Sequence, residues 1–246
     1  MITPALKKYT IDHRDDLNQL VIGSLLGDGT LKYYPQTKNA SLKIRHGANQ
    51  LDYLKYKRSI LAAFDLVTNT GKLGIYKDTS YLKNLNTYYI AYELVSRSHS
   101  VFTYWDAIAY TSDSGRRKKR FCMELLDKLG PLGLAIWYCD DGSLAAYRRK
   151  HDYGVSCQFA TDGFSKSDNM LIIEYFHDTW GLEFYPLKAW GGTYTCLRAK
   201  EASTRKLLSI IAPYVPNTMQ YKIDPVKRLE FHFESSRLNV LVETGN

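Results

Sequence analysis

The chain has 246 residues, 45% hydrophobic and 24% charged, which is globular usage and enough length for one large domain or two small ones. Lys plus Arg number 33 against 25 Asp plus Glu, a net charge of +8, so polyanions are favoured partners, nucleic acid before acidic membrane. No apolar run approaches the roughly 20 residues of a transmembrane helix. Met1 to Asp16 carries no run of signal-peptide length, and Cys122, Cys139, Cys157 and Cys196 lie too far apart for a zinc site.

In chain order the pattern predicts a helix over 17–27, a hairpin over 30–46 and a helix over 49–65. A second hairpin follows over 71–96, with a long connection from Asp78 to Asn86, and then a helix over 99–111. A short helix at 121–129 leads to a second series of the same kind: helix 131–140, hairpin 143–160, helix 165–180, hairpin 182–199 and helix 203–214. In this series Gly191-Gly192 marks a two-residue turn. The stretch from Pro225 has no counterpart and is expected to be a loosely held tail.

The repeat is carried by two segments, LVIGSLLGDGTL from Leu20 and LGLAIWYCDDGSL from Leu132. Each is an apolar run closed by Asp-Gly, a hydroxyl residue and Leu, and Asp28 matches Asp141 at an offset of 113. The offset holds further on, since Leu42 and Ile44 map onto Val155 and Cys157 in the same strand phase. Gly23 and Gly27 share one helix face, where a glycine costs up to about 1 kcal/mol relative to Ala unless another helix approaches closely.

Each run ends in a carboxylate at the negative end of a helix. Two such helices side by side would bring Asp28 and Asp141 together, where both cannot ionise readily without a cation. Clustered carboxylates beside phosphate oxygens suit Mg²⁺, and a basic chain carrying such a pair suggests metal-assisted phosphodiester hydrolysis. Asp140, next to Asp141, reads as structural or as a backbone-carbonyl ligand.

LVIGSLLGDG and LAIWYCDDG resemble the two copies of the LAGLIDADG motif, and the chain from about Leu17 to Lys222 resembles the single-chain, intron-encoded homing endonucleases. The segment PNTMQYKI, from Pro216, also resembles that family's late lysine-bearing segment. The resemblance implies an α+β fold of two pseudo-symmetric αββαββα repeats, 1–120 (motif 20–29) and 121–246 (motif 133–142). The motif helices would meet at the interface and two antiparallel sheets would form a saddle over DNA. It further implies that Asp28 and Asp141 bind Mg²⁺, with Mn²⁺ able to substitute, and that the carbonyls of Gly27 and Asp140 assist. The expected activity is a double-strand break with short 3′ overhangs at a long, asymmetric site. A basic residue should serve each active site: Lys222 in the second half and, by a count of eight from Tyr110, Lys118 in the first, with Lys119 as the alternative.

Strand faces turned away from the core should read the DNA. They offer Lys32, Lys43, Arg45, Lys72 and Tyr76 in the first half. In the second they offer Arg148, Arg149, Gln158, Lys188, Trp190, Thr193 and Thr195. Since one chain supplies both motifs, a monomer is expected. The alternatives are an RNA maturase that assists splicing of its host intron, with intron RNA as partner, and an inert DNA-binding regulator. No splicing blocks flank the core, which speaks against an intein. The place of action is expected to be intracellular, in cytoplasm, nucleoid or organelle matrix according to the host genome.

Overall fold

A computed structural model describes residues 13–67, 75–82, 86–113, 116–188 and 194–231. The fold is α+β, with two four-stranded antiparallel sheets of identical strand order. In the first half α1 (His13–Leu26), β1 (Gly29–Lys32), β2 (Ser41–Gly47), α2 (Leu51–Ala63), β3 (Ile75–Leu82), β4 (Thr87–Val95) and α3 (Ser100–Ala109) follow one another, and the sheet runs β1-β2-β4-β3. A hairpin of β5 (Tyr110–Asp113) and β6 (Arg116–Lys119) and a short helix α4 (Met123–Asp127) lead onward. The second half holds α5 (Pro131–Asp141), β7 (Gly142–Arg148), β8 (Tyr153–Ala160), α6 (Lys166–Trp180), β9 (Phe184–Lys188), β10 (Tyr194–Ala199) and α7 (Glu201–Ile211), with the order β7-β8-β10-β9.

Local signals explain the boundaries. Pro131 opens α5, where its missing N–H costs nothing. Ser165 and Asp168 form a reciprocal capping box on α6, and Gly181 ends that helix in the left-handed region at φ 59°. Strand alternation then sorts the faces. In the pair β1/β2, Leu31 opposes Leu42 and Gly29 opposes Ile44 on the core side, while Thr30 opposes Lys43 on the other.

The core is continuous between the halves because α1 and α5 pack directly on each other. Leu20, Val21, Ile22 and Leu25 of α1 are buried, as is every residue of α5 from Leu132 to Cys139. A Cβ on Gly23 would collide with the backbone oxygen of Gly133 and lie 2.9 Å from the Cβ of Ile136. One on Gly27 would lie 2.5 Å from the Cβ of Asp140. The glycine pair therefore exists for close helix approach, as its spacing suggests.

Three expectations are corrected. The stretch from Asp78 to Leu82 is not a connection: β3 runs through it, paired with β4 as far as Leu82↔Thr87. The helix expected over 99–111 ends at Ala109, because Tyr110 pairs with Lys119 and Thr111 with Lys118 in the β5–β6 hairpin. The start of the supposed tail is ordered, since residues 225–231 are helical. Gly191-Gly192 lies outside the described residues. Among the described residues no helix is long and apolar enough to cross a membrane.

Candidate active site

The two motif helices end side by side, and the chain folds there into a small, densely charged centre. The amide of Asp28 donates to Asp140 Oδ2 at 3.2 Å, tying the end of the first motif to the second. Asp28 itself is 43% exposed at its side chain and lies 3.4 Å, through Oδ2, from His46 Nδ1. Burial raises its carboxyl pKa, but hydrogen bonding and charge from His46, with Lys57 and Lys222, outweigh that and leave it below its ordinary value. Asp141 is pushed the other way, up to about 7, first by burial and then by the charges of Asp28 and Asp140. Two carboxyls of the same kind thus separate in acidity, one ionised and one poised near neutrality.

Each motif is backed by one lysine. Lys222 Nζ donates to the carbonyls of Cys139 at 2.6 Å and Asp140 at 3.2 Å. Lys119 Nζ donates to those of Gly27 at 3.3 Å and Gly29 at 3.1 Å. Gly27 and Asp140 are equivalent, each preceding the motif aspartate, so Lys119 and Lys222 stand as pseudo-symmetric mates. Burial lowers both lysine pKa values, and the neighbouring carboxylates oppose it. Lys118 is exposed on the other face of β6. The count from Tyr110 misses by one because it passes through the β5–β6 hairpin, which the second half lacks.

Asp140 turns out to be a buried structural charge. Its side chain has no exposure and accepts from Lys57 Nζ at 2.7 and 2.9 Å and from Tyr53 Oη at 2.9 Å. Lys57 is equally buried and lies 3.2 Å from His46 Nε2. Tyr53, Lys57 and His46 escaped the sequence reading. The signal was present: Tyr53, Lys57 and Leu61 recur every four residues on the inner face of α2, and His46 follows Leu42 and Ile44 in core phase.

Among the described residues, Asp28, His46 and Asp140 are the one acidic and histidine cluster whose ligand atoms all lie within 4.8 Å of one another. Lys57 already holds both carboxylate oxygens of Asp140. The carboxylates of Asp28 and Asp141 and the carbonyls of Gly27 and Asp140, on which the two ammonium groups rest, are oxygen donors of the kind a divalent cation takes.

The outer sheet faces carry the other candidates. Lys32, Lys43 and Arg45 share the face of β1 and β2 turned from the core. There Arg45 pairs with Asp78 at 2.6 Å, and Lys43 pairs with Glu93. Tyr76 is 42% exposed and shares a row with Glu93 and Arg45. In the second half Gln158 accepts from Arg198 Nη2 at 3.2 Å. Arg149 is engaged by Glu201 over the ring of Tyr147. Arg148 falls in the phase of Leu144 and Ala146, on the side opposite Gln158, because alternation along β7 decides its face. Lys188 and Thr195 lie on β9 and β10, but their side chains are outside the described residues, as are Lys72, Trp190 and Thr193 altogether. Arg198 and Tyr185, opposed across β10 and β9, were missed.

A family model described as the LAGLIDADG DNA endonuclease family matches residues 18–207. Among curated relatives, protein RecA of Mycobacterium gastri is 32% identical over 215 residues, covering 84% of this chain and 46% of that protein. Cytochrome b mRNA maturase bI2 of Saccharomyces cerevisiae is 26% identical over 215 residues, covering 83% and 46%. The chain spans about half the length of the curated relatives it matches. Among solved structures, the homing endonuclease I-WcaI bound to its DNA recognition sequence superposes with a TM-score of 0.70 at 19% identity, over 85% of this chain and 86% of that one.

Proposed function

Because this chain belongs to the LAGLIDADG DNA endonuclease family, we propose that it is a site-specific homing endonuclease that breaks both strands of duplex DNA by metal-assisted phosphodiester hydrolysis. The observation that carries the reading is the meeting of the two motif ends: Asp28 and Asp141 at one centre, each beside a carbonyl that a half-buried lysine holds. The outer faces of the two sheets, which carry Lys32, Lys43, Arg45 and Arg198, form the duplex-binding surface. One chain supplies both halves of the site, so the active form is a monomer.

Asp28 and Asp141 would hold Mg²⁺ (or Mn²⁺), which would supply Lewis acidity toward the scissile phosphate and lower the pKa of the attacking water. The protein does the rest. Asp28, ionised at neutral pH, and Asp141, once it gives up its proton, would hold the cation. Lys119 and Lys222 would stabilise the charge that develops on the phosphate and on the leaving oxygen, one lysine for each strand. His46 Nδ1 lies 3.4 Å from the Asp28 carboxylate, on its buried side. Short 3′ overhangs and a long, asymmetric target belong to the same proposal, as does action in whichever intracellular compartment carries the host genome.

The test is selection of cleaved duplexes from a randomised library in Mg²⁺. Wild type should return one asymmetric target cut on both strands. Asp28→Asn and Asp141→Asn should bind that target and leave it intact. Cleavage of both strands by either variant at the wild-type rate would refute the assignment. The resemblance to the yeast maturase supports a second activity, assistance to splicing of a host intron. An intron-splicing assay with Asp28→Asn, which would retain that activity, separates the two.

A further inference from the structure

The helix at 225–231 brings Arg228 onto the outer face of the second sheet. Asp224 caps it, its carboxylate accepting from the amides of Val226 at 2.8 Å and Lys227 at 3.3 Å. The ring of Phe231 stacks on Tyr221 at 4.3 Å, and Tyr221 precedes the lysine of the active centre. The helix is therefore seated from both ends. Arg228 closes a cavity of about 250 Å³ that is also lined by Ser143, Ser156, Gln158 and Arg198.

The charge of this cavity is unbalanced. Among the described residues, Arg198 has the neutral Gln158 as its hydrogen-bonding side-chain partner, and the buried Nε of Arg228 has no hydrogen-bond partner. Among the described residues no carboxylate lines the space. The first sheet is built differently at the matching place. Gln158 corresponds to Arg45, and its cross-strand neighbour Arg198 corresponds to Glu93, the neighbour of Arg45. The cations there carry protein carboxylates, Asp78 on Arg45 and Glu93 on Lys43. On the second sheet two guanidinium groups and two hydroxyls line one space with no carboxylate among the described residues, an arrangement suited to an anion from outside.

We propose that Arg228 and Arg198 form a phosphate clamp for the DNA backbone of the second half-site, with Arg228 delivered by a C-terminal helix that has no equivalent in the first repeat. This rests on the endonuclease reading above. It makes the two half-sites unequal in kind: the second is gripped through its backbone, whereas on the first the DNA must displace internal ion pairs.

The test is a salt titration of binding to the selected target and to a random-sequence duplex, for wild type, R228A and R228K. R228A should bind both duplexes about tenfold more weakly, and its slope of log affinity against log salt should be shallower by about 1. R228K should keep the wild-type slope. Single methylphosphonate substitutions in the target should reveal one phosphate of the second half-site whose neutralisation weakens wild type and leaves R228A indifferent. Unchanged affinity and slope in R228A, tighter binding, loss at a single base pair, or loss toward structured RNA alone would each overturn the clamp. If wild type binds no duplex, the endonuclease reading falls with it. If wild type binds and R228A matches it, only the clamp falls.

Discussion

Lys57 of α2 holds Asp140 of α5 through both carboxylate oxygens, at 2.7 and 2.9 Å, with both side chains wholly excluded from water. The first repeat reaches across the interface to neutralise a charge that belongs to the second. Removing one partner of such a pair leaves a buried charge alone, which costs about 3–5 kcal/mol. Lys57→Met should therefore lower unfolding stability by that amount in urea. Lys57→Met combined with Asp140→Gly, which copies Gly27 of the first motif, should recover most of it. Equal loss in single and double variants would show that the pair is not the origin of the effect.

The two active-centre lysines should behave alike, and Lys118 should not join them. Lys119→Met and Lys222→Met should each slow cleavage by orders of magnitude with binding little changed, because each ammonium rests on the carbonyl next to a motif aspartate. Lys118→Met should cut at close to the wild-type rate. Single-turnover cleavage on saturating target reads this directly, and a Lys118 variant as slow as the Lys119 variant would reverse the assignment.

Asp141 gives a pH signature. Its folded pKa of about 7 lies above the ordinary carboxyl value of 3.8. The folded state therefore holds a proton that the unfolded chain has released, and this group's contribution to stability falls as pH rises through that window. Without divalent cation, the stability difference between wild type and Asp141→Asn should shift against wild type from about pH 4 to about pH 7. In the proposed site a divalent cation would take the place of the proton, so Mg²⁺ should stabilise wild type more at neutral than at acidic pH, and the cleavage profile should rise through neutrality. A pH-independent difference between the two proteins would contradict this.

Helix approach at Gly23 leaves no room for a methyl group, since the backbone of Gly133 and the Cβ of Ile136 already fill the space. Gly23→Ala gains helix propensity but overpacks the interface. A net loss of about 1–3 kcal/mol is expected. Thermal unfolding decides it, and a gain in stability would mean that the helices can move apart freely.

Base reading should divide between the halves. Arg45→Ala should relax discrimination in one half-site and Gln158→Ala in the other, by about 1–3 kcal/mol for a bidentate contact. Cleavage profiling over every single-base variant of the target measures it. A loss spread evenly over both half-sites on changing Arg45 would sink the assignment.

The motif residues, the repeat and most helices and hairpins were legible because they are local. Apolar periodicity, Asp-Gly stops and the glycine pair each act within a few residues, and the offset of 113 between Asp28 and Asp141 doubles that signal. The sequence by itself thus determined the architecture and the paired carboxylates. Tertiary structure alone decided which charges meet. Lys119 rather than Lys118 reaches a motif carbonyl because a hairpin sets its phase. Lys57 finds Asp140 across 83 residues of chain, and Arg228 arrives over the second sheet on a helix with no repeat to announce it. Pairing of charges depends on distance and on exclusion of water, and a linear pattern encodes neither until the two repeats have packed.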